Sequence, residues 1–115
     1  MKNIKFKVNN YILECLVAET DQQLSQGLMY RVYPFPNMLF KFSEPGIRKF
    51  WMKNVYYPLD IIFISDNTIV DIFQASPNDS TLIGPDYLVD VVLEMPVGSC
   101  EQFNIKVGTK IFFDY

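Results

Sequence analysis

Residues able to do directed chemistry gather in and around one stretch of the chain. Trp51, Lys53, Asn54 and Asp60 fall within residues 50–64, FWMKNVYYPLDIIFI, with Arg31 upstream and Glu94 downstream. Together they describe a small-ligand pocket. Trp51 offers an apolar plate, and Arg31, Lys53, Asn54, Asp60 and Glu94 offer polar groups; an aromatic floor with a few convergent polar groups is the usual form of such a site. A small polar, carbohydrate-like ligand suits this set, with its C–H face on the indole and its hydroxyls on the amide and carboxylates.

Each of these residues also has a plain structural use. Trp51 and Met52 can serve as core, Met filling irregular gaps. Asn54 can hold a turn, and Pro58 can set the approach to the next strand. Asp60 can pair with Arg31, bidentately if the geometry allows. An acid on an apolar strand needs such a partner, because a buried unpaired charge is costly.

Two other functional classes compete with the pocket. Asp60 and Glu94 are the candidate acid pair for a carboxylate-based hydrolase, which needs both groups facing one cleft. Alternatively, Tyr33 and Phe35 with Tyr56 and Tyr57 form an exposed aromatic patch of the kind that marks a protein–protein interaction module. Other chemistry is excluded more firmly. Histidine is absent, which removes the commonest neutral-pH base and the Ser-His-Asp and Cys-His devices. No GxGxxG or GxxxxGK[ST] loop is present to cradle phosphates. Cysteine spacing gives no zinc arrangement. We therefore expect a non-catalytic domain, with no catalytic residue, metal or cofactor assigned.

Composition narrows the partners. The chain has 115 residues, half of them hydrophobic and 16% aromatic, which suits one core in a single domain spanning residues 1–115. Its net charge of −3 and its dispersed Lys and Arg argue against nucleic acid, which is held by clustered basic residues. Lys5 and Lys7 read as the solvent face of an edge strand. Polar residues interrupt every apolar run before the ~18 needed to span a bilayer. Cys15 and Cys100 lie among apolar neighbours and read as buried free thiols in a reducing compartment. The chain as it stands reads as cytoplasmic, and as extracytoplasmic if a leader precedes it. Nothing in the sequence sets an oligomeric state.

The elements that must position these residues are short. Ile4, Phe6 and Val8 alternate with Lys5 and Lys7, predicting a strand that turns at Asn9-Asn10 into a second strand over residues 11–17. Thr20-Asp21-Gln22-Gln23 has the form of a capping box, opening a short helix that Gly27 ends, with Leu24 and Leu28 toward the core. Strands follow at residues 38–42, from Phe50, and at residues 59–64, the last apolar enough to be buried on both faces. Ser65-Asp66-Asn67 turns into residues 68–74, and residues 75–85 form the longest loop. A strand at residues 87–95 precedes a second capping box, Ser99-Cys100-Glu101-Gln102, and a last strand covers residues 110–113. Many short strands with turn signals between them predict an α+β, predominantly antiparallel fold. We expect a barrel-like or strongly curved sheet with two short helices, or failing that a split sandwich.

The motifs also carry a resemblance. Gly27-Leu28-Met29-Tyr30-Arg31, Met38-Leu39-Phe40, the Phe50–Ile64 stretch with FWMKN and PLD, and Leu93-Glu94-Met95-Pro96-Val97-Gly98 follow in order. Ile105-Lys106-Val107-Gly108-Thr109 closes the series. In this pattern the chain closely resembles domain-of-unknown-function family 192, found in bacteria, archaea and some phages. The resemblance implies a small β-rich domain, often behind a secretion or lipoprotein leader, and brings no established activity. Thr109 stands where the family usually has Asp, which weakens any role for a carboxylate at that turn.

Overall fold

The Asn9-Asn10 turn, with Asn9 at φ 51°, folds β1 (Lys2–Val8) onto β2 (Tyr11–Ala18) with Val8 opposite Tyr11. The strands are seen in a computed structural model that describes residues 1–115. As the alternation requires, Ile4, Phe6 and Val8 are buried while Lys5 and Lys7 face solvent. The helix α1 (Asp21–Gln26) follows, and its capping box forms at both ends: Gln23 N–H donates to Thr20 Oγ1, and Thr20 N–H donates to Gln23 Oε1.

The remaining elements are β3 (Met38–Gly46), β4 (Leu59–Ser65), β5 (Thr68–Ala75), β6 (Val89–Pro96), α2 (Ser99–Gln102) and β7 (Ile111–Phe113). They build one seven-stranded sheet in the order β5-β4-β6-β3-β2-β1-β7, antiparallel throughout except between β2 and β3. One continuous sheet replaces the alternative of a split sandwich. It curls into a half-barrel, and the two ends of the strand order meet at one corner. There Ile69 N–H donates to Thr109 O at 2.9 Å, Gly108 N–H to Ile69 O at 2.7 Å and Ile111 N–H to Asn67 O at 2.9 Å.

The curl produces two cores. The first joins residues from both ends of the strand order, Phe6 and Ile111 with Ile64 and Ile69, and so fills the inside of the curl. The second lies on the outer face of β3, β4 and β6, where Met38, Phe40, Ile61 and Val92 are covered by Leu28, Met52 and Val55. This double coverage explains why β4 is apolar along nearly its whole length.

Five local expectations change. β1, with Lys5 and Lys7, is not an edge strand, because it pairs with β2 on one side and β7 on the other. Phe50 makes only a two-bond bridge to Ile83, and the chain from residue 51 to residue 58 turns rather than continuing as a strand. β6 starts at Val89, two residues later than expected. Ser99 does not cap α2: Gly98 occupies the cap position at φ 93°, and the Ser99 hydroxyl donates back to Pro96 O at 2.6 Å. Cys100 is only partly buried, whereas Cys15 is fully buried; both thiols are free, and burial pushes each up to about 12.

Candidate functional site

Period-two alternation along β6 sends Val92 and Glu94 to the outer face of the sheet and Leu93 and Met95 to the inside of the curl. Glu94 thus stands opposite Met38 on β3 and Ile61 on β4, in the middle of an apolar layer. It is 4% exposed, and no protein group donates a hydrogen bond to its carboxyl. Burial alone pushes that carboxyl up to about 8, so at neutral pH it is mostly protonated.

Above Glu94 the outer layer is incomplete. A cavity of about 510 Å³ remains between the end of α1, β3 and residues 47–51. Its walls are mainly apolar, with Leu24, Leu28, Phe40, Phe42, Phe50 and Trp51 around the Glu94 floor. Trp51, 43% exposed, stands at the mouth.

Two cations stand on the wall, and the buried Nε of Arg48 is left without a hydrogen-bond partner. Lys49 Nζ donates to Gly84 O and pairs with Asp86 at 2.7 Å. The Arg48 guanidinium lies 3.9 Å over the Phe42 ring and donates to Glu44 O at 2.8 Å. The backbone beneath them is fixed by Gly84, whose absent Cβ would fall 2.3 Å from Arg48 O.

The residues singled out from sequence therefore separate. Glu94 and Trp51 share the cavity, whereas Lys53 does not line it, its Nζ lying over the Trp51 ring 5.3 Å from the centroid. Asn54 does not line it. At φ 60° it holds a turn, its Nδ2 donating to Tyr30 Oη at 3.0 Å and its carbonyl accepting from Tyr30 N–H at 2.9 Å. Arg31 is half-buried, forms no ion pair with Asp60, and faces Tyr57 electrostatically. Asp60 points to the inside of the curl, where its Oδ2 accepts from Gly98 N–H at 3.1 Å and Cys100 N–H at 3.0 Å. It takes over the capping of α2 that the sequence pattern assigns to Ser99. Asp60 and Glu94 thus lie on opposite faces of the sheet and do not form the carboxylate pair expected of a hydrolase.

Sequence reasoning missed Arg48, Lys49 and Phe42, which reach the cavity because β3 runs on to Gly46 past Pro45. The segments found by motif nevertheless converge here: Gly27-Leu28-Met29, Phe40, Phe50-Trp51 and Glu94 all line it. The family model that carries these motifs, described as an uncharacterised family, matches residues 4–113. The chain belongs to DUF192.

Solved structures similar to this DUF192 chain share its fold. A protein of unknown function from Novosphingobium aromaticivorans is 29% identical with a TM-score of 0.83, over 95% of this chain and 82% of that one. A protein from Sinorhizobium meliloti, described as a candidate transcription regulator, is 32% identical with a TM-score of 0.86, over 96% of this chain and 92% of that one. No curated protein matches the chain. In this DUF192 chain no helix is long and apolar enough to cross a membrane, and no group of Cys, Asp or Glu side chains is arranged to hold a metal ion.

Proposed function

We propose that this DUF192 chain binds a small ligand in the cavity over Glu94 and performs no chemistry on it. One observation carries the reading: a buried carboxyl without a protein donor opens onto an apolar, aromatic-walled cavity of about 510 Å³. That volume lies within the range of small-molecule sites, roughly 300–1,000 Å³, and a few polar groups in an apolar wall are what orient a ligand there. The absence of a second acid facing Glu94 supports binding over hydrolysis. A carbohydrate-like ligand would keep the Trp51 plate but find Asn54 and Asp60 committed elsewhere.

A thermal-shift screen tests this, using sugars, alcohols, amines and carboxylates on the wild type and on Ser25→Trp, which plugs the cavity mouth. A ligand that binds only the native state raises the melting temperature as its concentration exceeds its dissociation constant. The reading requires at least one compound that stabilises the wild type and not the plugged variant. Equal shifts in both proteins, or none in either, would overturn it.

A second reading, an interaction module, is favoured by the exposed aromatics on the neighbouring loops. Tyr33 is 82% exposed with its ring 5.7 Å from Phe35, and Tyr30 lies 6.3 Å from Tyr56. Analytical ultracentrifugation of wild type and Tyr33→Ser decides whether that patch drives self-association; a monomer in both removes that form of the reading.

A further inference from the structure

We propose that the cavity over Glu94 selects small neutral primary amides with a flat aromatic body, the amide edge pairing with the Glu94 carboxyl. This goes one step beyond the ligand-binding reading of the cavity and rests on it.

Two residues of the lining hold polar groups that no protein atom satisfies. One group is the Nε of Arg48, which has no accessible surface. Its guanidinium packs on the Phe42 ring at 3.9 Å, and so near Gly46 that a Cβ there would fall 2.9 Å from Nε. A ligand in the cavity does not touch that nitrogen without displacing the side chain. The other group is the Glu94 carboxyl, whose residue keeps 4% exposure and lines the cavity. It is the polar group that an entering ligand meets.

The setting of Glu94 fixes the hydrogen-bonding pattern it presents. It stands between Met38 and Ile61 in an apolar layer, where an ionised carboxylate without a partner is costly. No cation pairs with it, since Lys49 with Asp86 is the only ion pair of the chain. Arg48 is turned to Phe42 and Glu44 O, Arg31 faces the Tyr57 phenol, and Asp60 lies across the sheet. Burial raises the Glu94 carboxyl to about 8 and leaves it neutral in mildly acidic solution. A neutral carboxyl shows an O–H donor beside a carbonyl acceptor. A primary amide shows the same two functions in the opposite order, so the two edges close a pair of hydrogen bonds. An ammonium has no acceptor for the Glu94 O–H, and a carboxylate has no donor for its carbonyl oxygen. A tertiary amide also lacks the donor.

The walls suit a flat body. Phe40 and Phe50 meet edge to face with ring centroids 4.9 Å apart, and Phe42 and Trp51 extend the aromatic lining. Aromatic rings pack on one another in offset or edge-to-face contact and bury a large area each. The cavity, about 510 Å³, is of small-molecule size.

Trp51 is the only tryptophan of the chain, so its fluorescence reports on the cavity mouth directly. The test titrates benzamide, N,N-dimethylbenzamide and benzoate at about pH 6.5 into the wild type, Glu94→Gln and Glu94→Leu. A site that hydrogen-bonds an N–H rejects the analogue lacking it, so the wild type should bind benzamide at least about tenfold tighter than the other two. Glu94→Gln keeps a donor beside an acceptor in nearly the same shape and should retain that preference. Glu94→Leu should lose it and bind benzamide no better than N,N-dimethylbenzamide. If Glu94→Leu does not fold, the wild-type comparison decides alone. Equal binding of benzamide and N,N-dimethylbenzamide by the wild type, or an undiminished preference in Glu94→Leu, overturns the amide inference and leaves the ligand cavity standing. No response to any of the three compounds also overturns it, and the screen of wild type against Ser25→Trp then decides separately whether the cavity binds a ligand.

Discussion

Asp60 and Glu94 lie on the hydrogen-bonded strands β4 and β6 one residue out of register, and their carboxyls leave the sheet on opposite faces. Asp60 is paired with Met95, and Glu94 with Ile61. Residues directly opposite in an antiparallel pair share a face and neighbours along a strand alternate, so a single step of register sends the two acids apart. Each then meets a different environment. Asp60 receives two backbone N–H donors at the start of α2, and Glu94 receives none and opens on the cavity.

Removing Asp60 should therefore damage the fold and spare the cavity. Its carboxylate is the only side chain capping α2, and both amides lose their acceptor in Asp60→Ala. Hydrogen bonds to a charged acceptor contribute about 1.5–3 kcal/mol each, so a loss of about 3 kcal/mol is expected. Asp60→Asn keeps one acceptor oxygen and should cost much less. Urea denaturation of the three proteins measures this, and an Asp60→Ala variant as stable as wild type would refute the capping role.

Glu94→Gln should have the opposite character, and its effect should depend on pH. The unfolded carboxyl ionises near its ordinary value of 4.5, whereas in the folded chain burial raises it to about 8. Between those values the folded state holds a proton that the unfolded state has released, so rising pH favours unfolding. The stabilisation from the neutral buried acid is complete below the unfolded value and is lost as pH climbs to about 8. Each unit of displacement corresponds to about 1.4 kcal/mol, which bounds the whole effect near 5 kcal/mol. Glu94→Gln has no such proton to lose. Its stability relative to wild type should rise steadily from about pH 5 to about pH 8. Parallel unfolding curves for the two proteins across that interval would show that Glu94 ionises normally in the folded chain.

Tyr57→Phe should be tolerated or stabilising. The Tyr57 hydroxyl is buried with no hydrogen-bond partner, while its ring stacks on Phe35 at 3.7 Å between centroids. Burial, with the nearby Glu94 adding to it, raises the phenol to about 12. An unsatisfied buried polar group costs about 1–3 kcal/mol, and Phe keeps the ring while deleting the oxygen. Differential scanning calorimetry should find the variant more stable by about 1 kcal/mol. A loss of that size instead would mean that the hydroxyl is hydrogen-bonded in solution.

What the sequence disclosed follows from how local each signal was. The alternation at Ile4, Phe6 and Val8 was readable because one face of β1 meets solvent, and the apolar run of β4 because both of its faces are covered. The capping box at Thr20 needs only residues three apart, and it formed. The same pattern at Ser99 failed because Asp60, 38 positions before Gly98 in the chain, supplies a stronger acceptor. Long-range pairing also undid the strand expected at Phe50, whose only partner is Ile83. In the candidate site, Glu94 and Trp51 were legible as unusual types in an apolar context. The register of β4 against β6 was not, and a slip of one residue reverses every side chain. Hence an apparent Asp60 and Glu94 cluster, reasonable along the sequence, dissolves in three dimensions.

Gly84→Ala should be among the most disruptive single-methyl additions in the chain, because it strikes the support of the cavity rim. Gly84 adopts φ 148°, a conformation that L side chains rarely enter, and a Cβ there would fall 2.3 Å from Arg48 O. Backbone cannot yield as a flexible side chain does. The strand-like bridge between Phe50 and Ile83, with N–O distances of 2.8 and 2.7 Å, and the contact of Lys49 with Gly84 O would have to give way together. Gly108 supplies the control: it also has positive φ, 93°, but nothing lies within 4 Å of its Cβ position. Gly108→Ala should cost only the backbone strain, about 1 kcal/mol, and Gly84→Ala at least twice that, with Trp51 emission altered as the rim moves. Equal costs at the two positions, with unchanged Trp51 emission, would mean that Gly84 does not hold the Arg48 segment in place.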